Sequence, residues 1–66
     1  MNQDIKDALL QAYTNLQKIV EDLYLASDKA VENGDDDGAS LLGAQAEKVF
    51  ERAEAISSVI SEQENG

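Results

Sequence analysis

Two runs of apolar residues, spaced alternately four and three apart and interrupted once by Asn33-Gly34, constrain this chain more than any other feature. The first run is Ile5, Leu9, Ala12, Leu16, Ile19, Leu23, Ala26 and Ala30. That rhythm puts one stripe on one side of an α-helix, because three- and four-residue steps bracket the 3.6-residue turn. The second run is Ala39, Leu42, Ala46, Val49, Ala53, Ile56 and Ile60, with alanine at every other site until Ile60. Small residues alternating with large ones let two helices approach closely while bulky side chains fill the layers between. The break is too short for anything but an antiparallel return. The expected fold is therefore all-α: an antiparallel two-helix hairpin, with helix 1 over about 4–33, an acidic turn at 34–37 and helix 2 over about 38–63. Each helix would run roughly 40 Å at ~1.5 Å per residue.

Local signals fix the ends. Asp4 can cap the first turn of helix 1, with Asp7 three residues on. Gly34 can take the left-handed conformation that closes a helix C-terminus. Asp35, Asp36 and Asp37 follow, and any of them can cap helix 2 while setting negative charge at its positive end.

A second stripe on helix 1 decides how the hairpin assembles. Leu10, Tyr13, Gln17, Val20, Tyr24, Ser27 and Val31 repeat the same spacing one residue out of step with the first. Two adjacent stripes make a face wider than one helix can cover, and helix 2 carries a smaller excess in Phe50 and Val59. A chain of 66 residues with no cysteine and no histidine has neither disulfides nor the usual zinc ligands to supplement its core. Association is the remaining route, so two hairpins are expected to pair as a homodimer into a four-helix bundle. The interface would use Leu10, Tyr13, Val20, Tyr24, Val31, Phe50 and Val59. The two tyrosines would edge it with their hydroxyls at the rim.

Charge narrows the partners. Fourteen acids against five bases give −9, and Lys6, Lys18, Lys29, Lys48 and Arg52 are scattered. Direct nucleic-acid binding needs clustered bases, and an anionic membrane would repel the chain. No apolar stretch is long enough to span a bilayer, and the start Met1-Asn2-Gln3-Asp4 reads as that of a cytoplasmic protein. Asp28, Glu32, Asp35, Asp36, Asp37, Glu47, Glu51 and Glu54 form an acidic surface. Glu47 with Glu51, and Asp28 with Glu32, repel one turn apart, while Lys18 with Asp22 and Lys48 with Glu51 offset this.

No chemistry-bearing cluster emerges, and no enzyme activity, cofactor, metal or small-molecule substrate is expected. Asn33-Gly34-Asp35-Asp36-Asp37-Gly38 starts like an EF-hand loop, but Ser40 stands where an aliphatic residue belongs and Ala44 where the bidentate Glu belongs. In shape, the hairpin and its alanine-spaced seam resemble the plasmid copy-number hairpin that dimerises and binds paired RNA loops, without that family's basic cluster. Phe50-Glu51-Arg52-Ala53-Glu54-Ala55-Ile56 is similar to the second helix of the hairpin chaperones of type III secretion needle subunits. Neither motif defines a family. The reading is a small cytoplasmic protein–protein interaction module, acting as adaptor, chaperone or regulator. The alternatives are an acidic inhibitor of a nucleic-acid-binding or defence protein, carried by a phage or mobile element, and a subunit or chaperone of a larger complex such as a secretion system.

Overall fold

A computed structural model describes residues 1–65 as two helices packed against each other, α1 (Gln3–Glu32) and α2 (Asp36–Asn65). Both run 30 residues, so each should be ~45 Å long. The molecule measures 48 × 16 × 11 Å. It is a flat layer of two rods.

The turn is tighter than the sequence suggests, α1 keeps its expected length shifted by one residue, and α2 is longer. α1 starts one residue before Asp4 because Asn2, not Asp4, is its cap: the Asn2 side chain accepts the Asp4 amide at 2.7 Å. At the other end Gly34 has φ +76°. Its amide donates to the Val31 carbonyl (3.0 Å) and the Asp35 amide to the Ala30 carbonyl (2.8 Å). These are the paired bonds of a Schellman closure, which satisfies carbonyls that the helix end leaves free. Asp35 then caps α2 at once, its carboxylate accepting the Gly38 amide at 2.9 Å. One residue both ends the closure and opens the next helix. Asp36 and Asp37 consequently fall inside the first turn of α2 rather than in a loop.

The seam on α2 is the expected one: Ala46 and Ala53 are 0 % exposed, and Ala39, Leu42, Val49, Ile56 and Ile60 are half-buried beside them. On α1 the expectation is corrected. Ile5, Ile19 and Ala26 are exposed, whereas Val20 is buried and Tyr13 and Ser27 are half-buried among Leu9, Leu16, Leu23 and Ala30. The inward face thus takes the line Leu9, Leu16, Leu23 and Ala30 from the first stripe and alternate members of the second. The physical reason lies in the width of the apolar face. A partner helix settles on the middle of a broad stripe and leaves both margins uncovered. Ser27 enters this interior without penalty because its hydroxyl donates to the Ala39 carbonyl at 2.9 Å, stitching the helices together near the turn. Lys6 and Glu64 form an ion pair across the open end.

Candidate interaction faces

The uncovered margins define the site. Ten large apolar side chains are exposed among the described residues. Eight of them sort onto two sides of the layer. Residues nine apart on a helix are two and a half turns apart and point in opposite directions. Leu10 and Ile19 are such a pair on α1, and Leu41 with Phe50, and Phe50 with Val59, are such pairs on α2. In an antiparallel pair, the residues one step after the large seam positions of each helix share a side. Leu10, Tyr24 and Val31 of α1 therefore lie with Phe50 of α2. We call this the tyrosine face. The Lys6–Glu64 pair falls on this side, as does Gly43, whose missing Cβ would sit 4.0 Å from the Ser27 hydroxyl.

Ile5 and Ile19 lie with Leu41 and Val59 on the opposite side. Two adjoining hollows of about 420 and 460 Å³ run along it, sharing Leu16, Arg52 and Ala55, with Leu9, Ile56 and Val59 at one end and Lys48, Val49 and Glu51 at the other. We call this the groove face. No polar side-chain atom is buried without a partner among the described residues, so the hollows are apolar clefts rather than orphaned polar sites.

The residues expected to make one interface are thus divided three ways. Leu10, Tyr24, Val31 and Phe50 share the tyrosine face, with Tyr13 at its inner edge, where its hydroxyl accepts the Gln17 amide at 2.7 Å. Val59 is on the groove face. Val20 lies inside the hairpin and is available to neither.

Charge divides by face as well. Around the tyrosine face stand Asp7, Glu21 and Asp28 of α1 and Glu47 and Glu54 of α2, all exposed. The one base on that side, Lys6, is engaged by Glu64, whose carboxyl the Lys6 hydrogen bond and charge hold below its ordinary value. The groove face is neutral by count: Lys29, Lys48 and Arg52 stand against Asp22, Glu51 and Glu62. Lys18, on the outer edge of α1, hydrogen-bonds Asp22, which raises the lysine above its usual value. Lys48 and Glu51, expected to offset each other, form no ion pair; the pairs among the described residues are Lys6–Glu64 and Lys18–Asp22. Glu32 points away along the outer edge of α1, Glu51 stands at the rim of one hollow, and Asp35, Asp36 and Asp37 cluster at the turn. This separation is hidden in the linear order of the acids. It appears only when they are sorted by position relative to the true seam.

Among the described residues no group of three acids is arranged to hold a metal ion, and no helix is long and apolar enough to cross a membrane. No family model, curated protein or solved structure matches the chain.

Proposed function

We propose that this chain is a small acidic protein–protein interaction module, cytoplasmic and non-enzymatic, whose working form is a dimer of hairpins closed into a four-helix bundle. The observation that carries this reading is the amount of surface the hairpin leaves wet. Its accessible area is 4797 Å². A monomeric globular protein of 7.1 kDa is expected to expose ~4,100 Å². The excess, roughly 700 Å², is close to the ~800 Å² that each partner buries in an interface of standard size. Among the described residues only Val20, Ala46 and Ala53 are buried, and two of the three are alanines that contribute little apolar area. A core of that size supplies little of the free energy needed to order two long helices. A second surface would supply the rest.

An inhibitor that offers carboxylates to the polar groove of a nucleic-acid-binding protein would use the acids but leave Leu10, Tyr24, Val31 and Phe50 idle at the centre of the contact. An adaptor or regulator gripping a protein segment uses both. Sedimentation velocity at tens of micromolar tests the dimer. The expected species has twice the 7.1 kDa chain mass. A fully helical species of the single chain mass at that concentration would overturn the reading.

A further inference from the structure

We propose that the tyrosine face is the seat for a basic amphipathic helix from another protein, and that the second copy of this chain packs on the groove face instead. The inference rests on the interaction-module reading above and assigns its two contacts to two different sides. The tyrosine face offers a strip from Leu10 through Tyr24 to Val31 with Phe50 beside it, each exposed by more than two-fifths. Such a strip suits the i, i+3, i+4, i+7 anchors of a helix laid along it.

Charge decides which helix. Asp7, Glu21, Asp28, Glu47 and Glu54 border the strip, and Lys6 is occupied by Glu64. A second copy placed here would set carboxylates against carboxylates with no free base to answer them, which costs affinity and slows encounter. A helix with lysines or arginines flanking an apolar stripe finds opposite charge on both sides of its anchors. The groove face makes the reverse case. Leu9, Leu16, Val49, Ala55, Ile56 and Val59 line the hollows, Ile5, Ile19 and Leu41 are exposed on the same side, and Lys29, Lys48 and Arg52 can meet Asp22, Glu51 and Glu62 of a symmetry-related copy. Like charge therefore selects against self-pairing on one side and permits it on the other.

The test uses the full chain and a synthetic amphipathic peptide of about twenty residues, long enough for the ~30 Å it must span. Its leucines sit at helical spacing and its lysines on both flanks. A scrambled peptide of equal charge is the control. Calorimetry should give binding to the wild type that weakens with salt, at least tenfold weaker binding of the scrambled peptide, and at least tenfold weaker binding to Tyr24→Ser/Phe50→Ser. Sedimentation of that variant should be unchanged. Tyr24 and Phe50 are each 46 % exposed, so only part of their surface packs on the hairpin, and helicity by circular dichroism checks that the variant stays folded. Glu21→Gln/Glu54→Gln is the second variant; removing repelling charge cannot unfold the chain by loss of contacts, and it should lower peptide affinity chiefly at low salt. If Tyr24→Ser/Phe50→Ser falls to single chains, the second copy occupies the tyrosine face and the assignment is overturned. Equal binding of the scrambled peptide would reduce the face to unspecific charge and overturn it too. A wild type that sediments as one chain yet binds the ordered peptide in this pattern would remove the dimer and leave the basic-helix seat standing.

Discussion

Ala53→Leu probes the closeness of the two helices, on which the whole fold depends. Ala46 and Ala53 lie two turns apart on the same line of α2 and have no exposed surface, although alanine is the smallest side chain with a Cβ. The helix axes must therefore run close at these levels, with no room for a branched side chain. Replacing the methyl with an isobutyl group forces the helices apart or the leucine off its rotamer, at a cost of ~1–3 kcal/mol. A single small core rarely supplies more than ~3–5 kcal/mol, so the loss is a large share of the total. For a domain of this size each kcal/mol moves the midpoint by ~4–8 °C, which gives a fall of ~4–24 °C. The assay is thermal melting by far-ultraviolet circular dichroism at one fixed protein concentration. Ala44→Leu, on the exposed outer side of the same helix, is the control and should stay within ~0.5 kcal/mol of wild type. If Ala53→Leu melted at or above the wild-type temperature, the alanine seam would not be the line of closest approach.

Gly43→Ala should stabilise by up to ~1 kcal/mol, because the new methyl meets nothing nearer than the Ser27 hydroxyl at 4.0 Å while alanine is the better helix former; the melting midpoint reads it. Gly34→Ala should destabilise by ~1 kcal/mol or more on the same assay, since its φ of +76° crowds any Cβ. For Glu64 the folded carboxyl titrates below its ordinary value because Lys6 hydrogen-bonds and attracts it. A depressed acid contributes stability that is present at neutral pH and lost as pH falls through the folded value. Glu64→Gln should therefore melt slightly below wild type at neutral pH, and the gap should close as pH falls below the ordinary carboxylate range; a gap unchanged with pH would mean the pair contributes nothing through charge.

The hairpin was legible because three signals agree: the three-four apolar rhythm, the glycine that closes α1 and the aspartate that opens α2. The rotation of α1 was not. Leu9, Leu16, Leu23 and Ala30 belong to the stripe read as inward and are inward, but periodicity alone gives no reason why Val20 rather than Ile19 should join them. Val20 lies near the middle of the broad apolar face and Ile19 at one margin, and which lines α2 covers depends on where it settles. That one-position shift moved Val20 out of the expected interface. It also put Ile5 and Ile19 onto a second exposed face and split the interface set across both sides. The polarity of the charges was illegible for the same reason. Asp28 and Lys29 are neighbours in sequence, and only the true seam sends one to each face. The cap at Asn2 was missed because Asp4 sits nearer the first apolar residue and is an equally good acceptor by type.

On the proposed reading the lone hairpin is thermodynamically incomplete until a second surface covers it, so its melting should depend on protein concentration. If folding is linked to pairing of two chains, a hundredfold rise in concentration contributes ~2.7 kcal/mol per dimer. Between about 1 and 100 µM the midpoint should then rise by roughly 5–10 °C, with helicity and dimer lost in one transition. A midpoint that stays constant across that range, with full helix content at the lowest concentration, would show that the lone hairpin is complete and would contradict the claim.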